Sequence, residues 1–215
     1  EAGYDTFEDS NGFKQNGFGT FDVTIDNGKR QGVSRAYLNE VKGYKNLLIE
    51  HNTDVSKIIF KEKKAIGVEV KRDNNSEIYY CNKEIILSSG SINSPKILQL
   101  SGIGDEKTLS QNGIDIINHL PGVGKNLQDH LEIYIQHKSK IKDTLYNLST
   151  NYFTQAVEGI KWFLFKKGML TYSHLEVGGF VKTSETYKHP NIQLHFFPSI
   201  VIDHGLTNPS FDGFQ

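Results

Sequence analysis

Apolar and polar positions fall into two textures along the chain. Between residues 47 and 81, short runs rich in β-branched and aromatic residues stand at Leu47 to Glu50, Val55 to Phe60, Ala65 to Lys71 and Glu77 to Cys81. The polar clusters Lys61-Glu62-Lys63-Lys64 and Asp73-Asn74-Asn75 separate them, and this spacing predicts a β-meander. Glu84 to Ser89 carries a continuous apolar run and reads as a short buried strand. Ser94-Pro95 then offers an N-cap followed by proline at a first helical position. Ile97, Leu98 and Leu100 give that helix an apolar face, and Gly102 ends it by allowing a left-handed backbone. A second helix from Asp105 to Gln111, a stop at Gly113 and a short strand from Ile114 to Ile117 come next.

Upstream, Ser34 is placed to cap a short helix through Ala36, Tyr37 and Leu38, closed by Gly43. Residues 1 to 33 lack clear periodicity and are expected to be extended segments and turns bridging the two halves of the chain. Beyond Asp129, Leu131, Ile133 and Ile135 alternate with Glu132, Tyr134 and Gln136, the signature of a strand with two unlike faces. A helix rich in aromatics is expected from Ala156 to Phe165, with strands at Val177 to Lys182 and Ile192 to Phe197. The pattern predicts a mixed α/β (α+β) chain: an α/β layer with an appended meander over 34–130, then antiparallel sheet plus helix over 131–215.

Charge narrows the function classes. Lys and Arg number 24 against 25 Asp and Glu, interspersed, for a net charge of −1. Such a balance leaves no electrostatic footprint for nucleic acid or an anionic membrane and points to a small-molecule protein. Cys81 is the single cysteine, which excludes an internal disulfide, and no Cys/His cluster has metal-ligand spacing, so no metal is expected. No apolar run approaches the roughly 20 residues of a transmembrane helix.

Several residues carry candidate chemistry. At Ser89-Gly90 the chain leaves the expected strand for a helix N-terminus, a corner whose free N–H groups suit an anion and which is also an ordinary strand-turn-helix junction. Gly17-Phe18-Gly19 and Gly122-Val123-Gly124 lack the third glycine of a dinucleotide fingerprint and read as turns. Val55 either fills a core or offers backbone groups to a purine edge, since a strand edge presents a donor beside an acceptor. Glu132 shares a face with Tyr134. A carboxylate beside an aromatic ring suits a quaternary ammonium, which has no N–H to donate, though a solvated strand glutamate would look the same. His195 lies in Ile192 to Phe197 on the face of Gln193 and Phe197, where a lone histidine serves either substrate or sheet.

The spelling from Gly90 to Gly104, GSINSPKILQLSGIG, and the block from Leu120 to His130, LPGVGKNLQDH, resemble two successive signatures of the glucose-methanol-choline (GMC) family of FAD-dependent oxidoreductases. Asn11-Gly12 through Phe18-Gly19, Ser34 to Leu38, Asp129-His130-Leu131-Glu132 and Gly178-Gly179-Phe180 resemble blocks of its choline-oxidising members. The resemblance implies an FAD-binding α/β domain with a β-meander over 34–130 and part of an antiparallel-sheet substrate-binding domain over 131–215. It implies FAD contacts at Val55, Ser89 and Gly90, and support of the flavin loop by Asn126, Asp129 and His130. It places Glu132 against the trimethylammonium of choline, and His195 near the substrate hydroxyl.

Family members are well over twice this long, open with a Gly-x-Gly-x-x-Gly fingerprint and carry a catalytic histidine near the C-terminus. By that comparison the chain is expected to be an internal fragment, inactive alone, with its catalytic base beyond Gln215. An electron acceptor of quinone type and a cytoplasmic or peripherally membrane-associated location are expected. Two other readings stay open: a GMC enzyme for another primary alcohol, and a non-catalytic binding fragment.

Overall fold

The structure is a computed structural model and describes residues 3–73, 75–142 and 144–215. The chain divides into two compact units, residues 45–131 and residues 1–44 with 132–215. Residues 34–44 thus group with the C-terminal part of the chain. Helices and mostly antiparallel sheets occur together, in keeping with the mixed α/β class.

In the 45–131 unit three of the four expected meander strands form. Strands Asp54–Lys61, Lys64–Arg72 and Asn75–Tyr80 pair antiparallel in chain order, with Val68 between Ile58 and Tyr79. The chain reverses through Glu62 and Asp73, both left-handed; Asn74 of the second turn lies outside the described residues. Helix Gly90–Leu100 packs on the edge strand, and Ile58, Val70, Ile97 and Leu109 form the buried core. Helix and sheet are joined by one buried hydroxyl: Ser101 Oγ accepts the Ile58 N–H at 2.8 Å and donates to the Ile97 carbonyl at 2.5 Å. Gly102 has φ +82, and a Cβ there would press into the Asp115 carbonyl, so the helix stop is also a close backbone approach. Asp105 caps helix Glu106–Gln111 by accepting from the Thr108 N–H at 3.0 Å and its hydroxyl at 2.9 Å; these bonds hold its carboxyl below the usual range.

Four expectations in this unit are corrected. Leu47 to Glu50 is not a strand; no neighbouring strand pairs with it among the described residues, and it is held instead through Glu50, which forms an ion pair with Arg72. Glu84 to Ser89 is not a strand, and Ile86 is 79% exposed, because a buried strand requires partners that the described residues do not supply. The helix starts at Gly90, one turn before Ser94-Pro95. Pro95 is tolerated inside because near the helix start it forfeits a single bond, while Ser94 Oγ accepts the Ser89 N–H at 2.9 Å. The short strand lies at Asn118–His119, parallel to Ile103–Gly104, rather than at 114–117.

In the other unit, Val177–Val181 pairs antiparallel with Ile192–Phe196, as predicted, and with Gly17–Thr20. Gly17-Phe18-Gly19 is therefore strand and not turn. Its glycines admit rings to the sheet: a Cβ on the facing Gly178 would collide with Phe21 and with the Leu194 carbonyl. Phe7, Phe21 and Phe180 pack together, with centroids 5.9 to 6.2 Å apart. Ile25–Asp26 and Lys29–Arg30 form a hairpin whose Gly28 carbonyl accepts from Trp162 Nε1 at 2.7 Å. Ser34 does not cap; the helical segment starts a residue earlier, and Ser34 lies inside its π-helical turn. Leu131 to Gln136 forms no strand among the described residues, and Leu131, Ile133 and Ile135 are exposed, so its apolar positions are not buried there.

The aromatic helix runs Tyr152–Ile160 and continues as a π-helical turn through Phe165. Asn151 caps it by accepting from the Phe153 and Thr154 N–H groups. Glu158 is buried on it, accepting from Lys161 Nζ at 2.6 Å and the Met169 N–H at 2.7 Å, which ties the helix to the following loop.

Removing the bridging hydroxyl with Ser101→Ala should lower the stability of the 45–131 unit by about 1 to 3 kcal/mol, because the buried Ile58 N–H loses its acceptor. The measurement is amide hydrogen exchange at Ile58 and Val70 in the full-length protein; unchanged protection would show that the bridge contributes nothing. Glu158 gives a pH dependence of fixed sign. Its bonds to Lys161 and Met169 hold the carboxyl below its ordinary range, so its stabilisation is complete above the unfolded value of about 4.3 and disappears as pH falls through the folded value. Protection factors across 152–171, corrected for the intrinsic slowing of amide exchange in acid, should fall as pH is lowered from about 5 to about 3, and Glu158→Gln should remove that pH dependence.

Candidate functional site

The residues with candidate chemistry lie in four places. In the 45–131 unit, a groove of about 640 Å³ opens between the edge strand and helix Gly90–Leu100. Val55 and Ser89, far apart in sequence, both line it, together with Asn93, Lys96, Ile97 and Leu100. A register shift after Val55 bends the strand at this point, and Gly90 beside Ser89 has φ +84 with open space where a side chain would stand. Apolar faces from Val55, Ile97 and Leu100 thus meet hydroxyl, amide and ammonium donors. With the carboxylates of Asp54 and Glu69 also on its wall, the groove presents apolar faces together with donors and acceptors. Of the cations here, Lys57 is engaged by Glu69 at 3.5 Å.

The block from Leu120 to His130 forms a loop in the same unit. Asn126 is left-handed at φ +57, and Asp129 Oδ1 accepts the His130 N–H at 2.8 Å, so the Asp129 side chain bonds the adjacent backbone. Gln99 Nε2 donates to the Val123 carbonyl at 3.3 Å and links the loop to the groove-lining helix.

Glu132 and Tyr134 belong to the other unit. Both are exposed, and the Tyr134 hydroxyl donates to Glu132 Oε1. The bond favours the protonated phenol and raises the Tyr134 pKa above its ordinary value, with a smaller contribution from burial. On the same face, Gln136 Nε2 donates to the Val201 carbonyl at 2.6 Å and to Gln215 Oε1 at 2.9 Å. Gln136 was visible in the alternation as a member of this face, but its two partners are far along the chain and no local signal announces them.

His195 sits in the antiparallel sheet opposite Gly178, its ring 5.4 Å from that of Phe21. No hydrogen bond joins it to Glu132 or Tyr134 among the described residues. A second cavity of about 500 Å³, lined by Tyr146, Tyr152, Phe153 and Asp212 among others, has no periodic signature in the sequence. Among the described residues no group of His, Cys, Asp or Glu could hold a metal ion, and no helix is long and apolar enough to cross a membrane.

Comparison with known proteins gives the family. The family model for GMC oxidoreductase matches residues 1–132. The mitochondrial choline dehydrogenase of Homo sapiens is 44% identical over 215 residues, all of this chain and 36% of the human protein. The oxygen-dependent choline dehydrogenase of Staphylococcus xylosus is 43% identical over the same length, 38% of that protein. The chain spans little more than a third of the length of these relatives. Among solved structures, an FAD-dependent oxidoreductase from Chaetomium thermophilum aligns with TM-score 0.70 and 32% identity over 77% of this chain and 30% of that one. Pyridoxine 4-oxidase from Mesorbium loti, at 22% identity, shares the fold with TM-score 0.73 over 99% of this chain and 38% of its own. With its two signature blocks inside folded segments and its family match covering more than half its length, this chain belongs to the GMC oxidoreductase family.

Proposed function

We propose that the chain is part of an FAD-dependent oxidoreductase acting on a CH–OH group, with choline as the alcohol and betaine aldehyde as the product. The observation that carries the substrate is the Glu132 carboxylate, held by a tyrosine hydroxyl beside an aromatic ring. A trimethylammonium group is bound through charge and π-face attraction alone, and this pair supplies both. The names of the choline dehydrogenase relatives support the same substrate.

The groove suits the adenine end of FAD: Val55, Ile97 and Leu100 offer apolar faces, and Ser89, Asn93 and Lys96 offer donors. Val55 holds the purine through its backbone, while Ser89 and the side-chain-free Gly90 let the dinucleotide approach closely. Bound FAD supplies hydride acceptance from the alcohol carbon. On the substrate side, Glu132 neutralises the cation, the Tyr134 ring covers it, and His195 hydrogen-bonds the hydroxyl and orients it. The base that takes the hydroxyl proton is assigned to a histidine outside these 215 residues. In this reading 34–130 contributes to the FAD-binding domain and 131–215 to the substrate-binding domain, electrons pass to an acceptor of quinone type, and the enzyme is cytoplasmic or peripheral to a membrane. A second reading, oxidation of an uncharged primary alcohol, draws on the exposure of Glu132.

In the full-length enzyme, Glu132→Gln keeps the shape of the side chain and removes its charge. Choline should bind more weakly by about 1 to 3 kcal/mol, roughly five- to a hundredfold. The uncharged isostere 3,3-dimethyl-1-butanol should be oxidised as before, so the preference for choline collapses. Equal losses for both alcohols, or none, would favour the second reading. His195→Ala should slow flavin reduction roughly ten- to a hundredfold with FAD still bound, the loss expected for a positioning hydrogen bond or two. Unchanged single-turnover reduction would confine His195 to the sheet.

A further inference from the structure

The segment 132–136 has little to hold it in place by backbone. It is unpaired among the described residues, and Ile133 and Ile135 are exposed. What fixes it is side-chain bonding on one face. Gln136 Nε2 reaches the Val201 carbonyl and Gln215 Oε1; that same Gln215 oxygen accepts the Val201 N–H at 2.9 Å, and the backbone of Gln215 exchanges bonds of 2.8 and 3.0 Å with Phe197. Next to the buried Ile200, this network anchors the C-terminal end of the segment. Two residues nearer Glu132, the Tyr134 hydroxyl takes up Glu132 Oε1.

A glutamate side chain has three rotatable torsions, and a quaternary ammonium has no N–H with which to align it. An aligned carboxylate therefore has to be oriented by the protein before the cation arrives. A hydroxyl bonded to Oε1 restricts the carboxylate while leaving Oε2 free, and a phenol whose pKa is raised by that same bond remains a donor across neutral pH. We propose that Tyr134 is a positioning residue: its hydroxyl presets the Glu132 carboxylate for the substrate cation, separately from any contact made by its ring. The proposal rests on the reading of Glu132 as the cation's partner.

The test is a double-mutant cycle in the full-length enzyme, reading the ratio of kcat/KM for choline to that for 3,3-dimethyl-1-butanol. Tyr134→Phe keeps the ring and removes the donor; the ratio should fall roughly three- to thirtyfold, with flavin content unchanged. In the Glu132→Gln background the same substitution should change the ratio by less than about twofold, because there is no carboxylate left to orient. A wild-type ratio in Tyr134→Phe, or losses that multiply in the double variant, would overturn the positioning role while leaving Glu132 as the cation's partner. A wild-type ratio in Glu132→Gln would remove the underlying reading itself. If Tyr134→Phe fails to accumulate as a flavoprotein, Tyr134→His takes its place in the cycle: its ring N–H should preserve part of the ratio, and a residual loss that persists in the Glu132→Gln background would equally overturn the proposal.

Discussion

The arrangement of the 45–131 unit depends on one buried hydroxyl. Ser101 lies just past the end of helix Gly90–Leu100 and bonds at once to a strand N–H and to a carbonyl of its own helix. Ile58 belongs to the edge strand of a three-stranded sheet, so among the described residues this N–H has no neighbouring strand to pair with and would otherwise be orphaned inside the core. Supplying the acceptor from the helix fixes the angle and spacing between helix and sheet. The groove is the space that remains beyond this junction, with Val55 on one wall and Ser89 on the other.

The other unit is organised by aromatic packing against glycine. Gly178 and Gly179 thin the central strand so that Phe21 and Phe18 can lie on the sheet, and Phe7 and Phe180 complete the cluster. His195 meets the edge of this cluster through Phe21, with ring centroids 5.4 Å apart. The Glu132 segment is held in a different manner, by the Gln136 and Gln215 carboxamides and a tyrosine hydroxyl. Polar bonding of this kind sets a geometry without burying surface.

Much of this was legible in the chain. Alternation and turn chemistry located three of the four expected meander strands, the helix that begins at Asp105, the helical stop at Gly102 and the two later strands, because each is a local property of a few adjacent residues. The segments that failed were those whose state depends on partners. Glu84 to Ser89 and Leu131 to Gln136 have the composition of strands, yet strand formation is completed by a neighbouring strand, and the described residues supply none. The Gly17 to Thr20 strand went unseen for the opposite reason: its glycines carry no periodic signal, and only the facing Val177–Val181 strand explains why small residues are needed there.

The sequence by itself determined the family, through two glycine- and proline-punctuated blocks in fixed order, and it put Glu132, Tyr134 and Gln136 on one face because side chains alternate along any extended chain. Tertiary structure decided what that face is tied to. The partners of Gln136 are Val201 and Gln215, those of Ser101 include a strand 43 residues upstream, and Val55 meets Ser89 across a groove. Contacts between residues so far apart are set by how whole elements pack, and no local pattern of residue types encodes them.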